Sequence, residues 1–223
     1  MNRAVAQSKV STLPPETKPR LRGWLHLVNT PISLVGGLIL MIAADTVPLR
    51  IACAIWTMTA LMLFGNSAVY HRGHWSDRVS AVLRRIDHSN IAIFIAGTYT
   101  PLAVALLSGA SRIVLLSLIW GAAAVEVLFR VLWMDAPRWL YVALYLVMGW
   151  AAVFWMPQLI TAGGAAVGIL MIIGGLFYSV GAIVYALKRP NPNPAWFGFH
   201  EIFHAGTVLG AMCHWVAILI AIL

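Results

Sequence analysis

Long apolar runs, each about as long as a bilayer is thick and separated by short stretches that hold nearly all the charge, decide what this chain can fold into. A hydrocarbon core of roughly 30 Å is crossed by about 20 helical residues. Seven runs reach that length: 24–42, 50–71, 86–108, 112–133, 138–160, 163–187 and 199–223. With 61% hydrophobic and 10% charged residues, the chain has too little polar surface to cover those runs in water. The runs are continuous where barrel strands would alternate, which argues against a β-barrel. The sequence therefore predicts an all-α, polytopic membrane protein: a seven-transmembrane helix bundle over residues 24–223 with no separate soluble domain. Residues 1–23 are basic, carry Pro14, Pro15 and Pro19 and lack the apolar core of a cleavable signal, so they read as a disordered, retained tail.

Charge sets the expected orientation. Seven crossings place Arg3, Lys9, Lys18, Arg20, Arg22, Arg72, Arg78, Arg84, Arg85, Arg130, Arg138, Lys188 and Arg189 on one side; of the 15 Lys and Arg, only Arg50 and Arg112 fall on the other. By the positive-inside rule the first side is cytoplasmic, with the N-terminus inside and the C-terminus outside. The net charge of +8 thus reflects orientation. Spread over short loops, the basic residues form no folded face for nucleic acid. Cys53 and Cys213 fall inside spans, where a free thiol behaves as a small apolar side chain.

Polar residues inside spans are costly unless paired or functional, so they mark the candidate site. His71 ends span two, and Ser67 lies one turn, roughly 6 Å, deeper on the same face. Asp87 sits in the first turn of span three, after a basic loop from Arg72 to Arg85, and span seven opens with His200-Glu201-Ile202-Phe203-His204. These residues share one thin slab at the basic end. His200 and His204, four apart on a helix, project from one face with spacing suited to one metal ion, and His71 can supply a third nitrogen. Three histidines with a nearby carboxylate and no fourth protein ligand describe a catalytic zinc site, with water in the open position. His74 and His88 read as interface anchors. His214, about 15 Å further along the helix, is too distant for the same metal.

Ser67-x-x-x-His71, Asp87 within Arg85-Ile86-Asp87-His88-Ser89, and His200-x-x-x-His204, in this order and on these helices, resemble the hemolysin III and progestin/adiponectin-receptor family. The resemblance covers essentially the whole seven-span region. It implies a Zn2+ ion held by His71, His200 and His204, a bound water contacting Asp87, Ser67 beside them, an N-in topology and residence in a bacterial plasma membrane. It also implies kinship with membrane ceramidases, hence hydrolysis of a lipid amide. The first span departs from the pattern. Bacterial members typically carry Glu, Asn and His there, whereas His26, Asn29 and Ser33 stand in this chain, so no role transfers to that span.

Three functional classes follow. In the enzyme reading, zinc lowers the pKa of its water to about 7 and Asp87 accepts the proton, while an acyl group from a membrane lipid is presented to the site. Glycines at 163–164, 174–175 and 181 would pack helices closely around an acyl-chain cavity. A protease reading takes His200-Glu201-x-x-His204 literally, with Glu201 as base, but no second acidic segment accompanies it. In the non-enzymatic class, zinc clamps helices two and seven in a sensor or receptor, or the protein is a lytic pore. Short connections on the less basic side offer little surface to a protein partner. The composition allows no water-soluble state of the kind that pore-forming toxins generally have.

Overall fold

The computed structural model describes residues 18–133 and 135–223, and the described residues are almost entirely helical. Helix α1 spans Trp24–Ala43, α2 Val47–Arg72, α3 Asp77–Leu106, α4 Gly109–Leu132, α5 Arg138–Trp150, α6 Met156–Leu187 and α7 Phe199–Ile222. Six helical stretches are long and apolar enough to cross a membrane; one of them, Arg138–Leu187, runs through α5 and α6 and is 50 residues long. Within it lie a 3-10 turn at Ala151–Trp155 and, further on, Gly164 at φ 82°, ψ 168°. That backbone conformation is open essentially to glycine alone. The six apolar stretches make this a multi-pass membrane protein.

Helix ends differ from the apolar runs in instructive ways. The expected loop from Arg72 to Arg85 is confined to residues 73–76, and α3 begins at Asp77, ten residues before Asp87. Hydropathy marks where a helix enters hydrocarbon; the helix itself continues into water wherever its residues favour it, as the polar stretch Asp77–Arg85 does. Helix α2 starts at a Thr46 cap whose hydroxyl accepts the Leu49 N–H at 3.4 Å. Residues 18–23, the described part of the expected tail, run beside the loop before α7, with the Arg20 N–H donating to Ala195 O at 2.9 Å. Residues 1–17 of that tail lie outside the described residues.

Without water inside a membrane, helices associate through close packing. Gly206 on α7 faces Gly181 on α6 so tightly that a Cβ would stand 2.7 Å from Phe177 O. The Gly174 backbone lies under the His214 ring, and Gly37 and Gly97 seat Thr57 and Thr59 of α2. Of the glycines expected to pack helices, Gly163 (against Leu106), Gly174, Gly175 (against Trp150) and Gly181 do so, while Gly164 marks the break in α6. Several hydroxyls within the bundle are satisfied along their own helices, among them Thr57 donating to Cys53 O and Thr207 donating to Phe203 O. Cys53 and Cys213 are both free thiols within helices.

Candidate metal centre

Two chain features fix the ends that carry the histidines. At the start of α7 the Glu201 carboxylate accepts the Gly198 N–H at 2.8 Å and pairs with Arg22, anchoring the first turn from which His200 and His204 project. At the end of α2, Gly23 (φ 80°) lets the entry of α1 press against His71; a Cβ there would stand 2.8 Å from His71 Cβ.

The three imidazoles meet between these helix ends. His71 Nε2 and His200 Nε2 are 3.2 Å apart, and one ligating nitrogen from each of His71, His200 and His204 falls within 4.8 Å of the others. For zinc–nitrogen bonds of roughly 2.0–2.1 Å in tetrahedral geometry, neighbouring nitrogens lie about 3.4 Å apart. The first pair is close to that spacing, and the His204 nitrogen lies within 4.8 Å of both. No fourth His, Cys, Asp or Glu joins the group among the described residues. The donor set therefore fits one divalent ion that accepts imidazole, with a coordination position open.

Asp87 Oδ2 lies 3.7 Å from His71 Nε2, and Asp87 and Ser67 line the same cavity as His200 and His204. All five residues singled out in the sequence are thus neighbours. His74, exposed, stays outside the cluster, and His214 lies deeper, its Nε2 3.1 Å from Met171 O.

The sequence matches the family described as "Haemolysin-III related" over residues 16–215. The chain belongs to that family. A "Hemolysin-3 homolog" of Bacillus subtilis (strain 168) is 31% identical over 150 residues, 67% of this chain and 70% of the relative. A "Hemolysin-3" of Bacillus cereus is 27% identical over 204 residues, 89% of each chain.

Sequence reasoning missed two groups around the centre. His26, given no role, stacks flat on His204 with ring centroids 3.8 Å apart and planes 7° apart, and it meets the Phe64 ring edge-on. It packs flat against the His204 ring from α1. The available signal was periodic: His26, Asn29, Ser33 and Gly37 recur at helical spacing, and that stripe is the buried face of α1. The second group is Arg130, buried in α4, which bonds His88 Nδ1 and lies over the Tyr141 ring at 4.2 Å. Tyr145 donates to His88 O at 3.0 Å. His88 is therefore turned into the bundle rather than anchoring the interface. Glu126 and Arg130, four apart in an otherwise apolar run, were the sequence sign of it.

Two cavities of opposite character meet at the centre. One, about 130 Å³, is lined mainly by apolar side chains and runs from Ser67, Asp87 and His204 past Leu102 and Met171 to His214. The other, about 570 Å³, is a polar vestibule at the basic end that reaches His71 and His200. His88, Tyr141, Tyr185 and His200 belong to the walls of both.

Proposed function

We propose that this protein is a zinc-dependent membrane hydrolase of lipid amides, with His71, His200 and His204 as metal ligands, Asp87 as general base and Ser67 positioning the carboxylate. What carries this reading is the conjunction of an open three-histidine donor set, a carboxylate 3.7 Å from one ligand, and an apolar cavity ending at that point. Bound there, zinc would supply a Lewis acid and an acidified water. The chain does the rest. The apolar cavity holds an acyl chain with its carbonyl end at the histidines, and Asp87, facing Ser67 in a water-poor wall, takes up and returns a proton. Glu201 is unavailable as a base, since its carboxylate is committed to Arg22 and the Gly198 N–H.

The topology belongs to the same proposal. A 50-residue apolar stretch is far longer than one crossing of about 20 residues, and Gly164 breaks it. Two crossings there make seven in all, with the basic end cytoplasmic, the N-terminus inside and the C-terminus outside.

One observation favours a second reading. His71 is on α2 while His200 and His204 are on α7, and α1 packs against both of these helices. A metal would therefore tie together helices with little other mutual contact, as a non-enzymatic sensor requires. The relatives' name, hemolysin, adds cytolysis as a third activity to assay. The deciding experiment uses metal-verified protein and measures fatty-acid release from a panel of amide- and ester-linked lipids. Wild type is expected to turn over at least one amide. Asp87→Asn should keep its metal and lose about 10²–10⁴-fold of the rate. Failure of wild type on every lipid, with melting that still tracks metal content, would replace hydrolysis by the clamp.

A further inference from the structure

The vestibule beside the metal centre is lined by Lys18, Arg22, Arg84, Arg130 and Arg138 and, among the described residues, by no Asp or Glu. Arg22 is neutralised by Glu201, and Arg138 donates to Tyr185 O at 3.3 Å and lies over the Tyr185 ring. Arg130 is different. It is only 2% exposed, and apart from the nitrogen on His88 its Nε and Nη1 have no hydrogen-bond partner among the described residues. Glu126, one turn away on α4, forms no ion pair with it among the described residues and itself keeps an unpartnered Oε1. A buried guanidinium with two idle donors on the wall of a polar cavity is strongly unfavourable until an acceptor arrives, and its planar fork matches the oxygens of a phosphate or carboxylate. Lys18 and Arg84 add positive charge to the same wall, with no carboxylate among the described residues lining it.

We propose that the vestibule receives the anionic headgroup of a single-chain amphiphile whose acyl tail lies in the apolar cavity. This rests on the hydrolase reading only in placing the susceptible bond at the histidines, where the cavities meet. The apolar cavity extends along α7 from His204 to His214, ten residues or roughly 15 Å, a length that matches one extended acyl chain of about a dozen carbons. Neutral headgroups would leave the Arg130 guanidinium without a counter-charge. The anionic group is either a phosphate carried by the lipid or the carboxylate of a released fatty acid.

Non-hydrolysable probes with one common tail distinguish these: dodecyl phosphate, dodecanoate, dodecyl maltoside and dodecyltrimethylammonium. Binding is measured on the full-length, metal-replete protein in nanodiscs of zwitterionic lipid. Both anions are expected to bind at least tenfold tighter than the maltoside, the cation weakest, and high salt should narrow the difference. Arg130→Gln and Arg84→Gln should each reduce the anion preference several-fold while leaving metal content and maltoside binding unchanged. Arg84 is exposed, so it decides the matter if the Arg130 variant fails to fold. Tighter phosphate binding assigns the site to a lipid headgroup, and tighter carboxylate binding assigns it to a product. Equal affinity for anionic and neutral probes, a preference untouched by the arginine substitutions, or no binding of any probe overturns the proposal. Hydrolysis of neutral amides without anion preference would remove this proposal and leave the hydrolase; anion preference without any turnover would do the reverse.

Discussion

Replacing Glu201 by Gln tests whether this buried acid is a structural anchor or a reacting group. Its carboxylate is 1% exposed, pairs with Arg22 and accepts the Gly198 N–H at the start of α7. Breaking a buried pair by removing one partner typically costs about 3–5 kcal/mol. Here Arg22 is 18% exposed and opens onto the polar vestibule, so water can solvate the abandoned guanidinium. Glutamine also keeps an oxygen for the cap. Both facts reduce the expected loss to about 1–3 kcal/mol. Thermal melting in detergent measures it, and a cycle with Arg22→Met adds a check: the double variant should lose less than the sum of the singles, because no unpaired charge remains. Turnover per folded, metal-loaded molecule should stay within a few-fold of wild type. Complete inactivation with unchanged melting would refute the anchor and restore Glu201 as a base.

His71→Ala, His200→Ala and His204→Ala should each abolish stoichiometric metal binding, whereas His74→Ala and His214→Ala should retain it, as elemental analysis of purified protein would show. Gly164→Ala should destabilise by about 1–3 kcal/mol through backbone strain, since nothing stands within 4 Å of the added Cβ. Gly121→Ala, equally open but helical, is the control, and equal melting of the two variants would count against a Gly-only break. A C-terminal reporter active only outside the cytoplasm is expected to function; activity only inside would reverse the orientation.

Most of the fold was legible because hydrocarbon permits so few backbone solutions. An apolar run of about 20 residues must become a helix once water is absent, and its flanking charges say where it stops. The His200/His204 pair was legible for a related reason, since a four-residue spacing fixes two side chains on one face before any tertiary contact forms. The extent of α3 was not, because Asp77–Arg85 is polar yet still helical, and hydropathy reports solvent rather than hydrogen bonding.

What the sequence determined by itself is local: helical segments, their apolar lengths, the side that gathers cations, and the one-turn spacings of Ser67 with His71 and of His200 with His204. Only the tertiary structure decided which faces meet. It turned the polar stripe of α1 inward so that His26 stacks on His204, assigned Glu201 to Arg22 and the α7 cap, and set Arg130 against His88. A helix's period fixes the direction of each side chain about its own axis, but the rotation of that axis in the bundle is set by close packing of small residues on neighbouring helices, such as Gly206 on Gly181. Those contacts join residues far apart in the chain, and no single stretch of sequence encodes them.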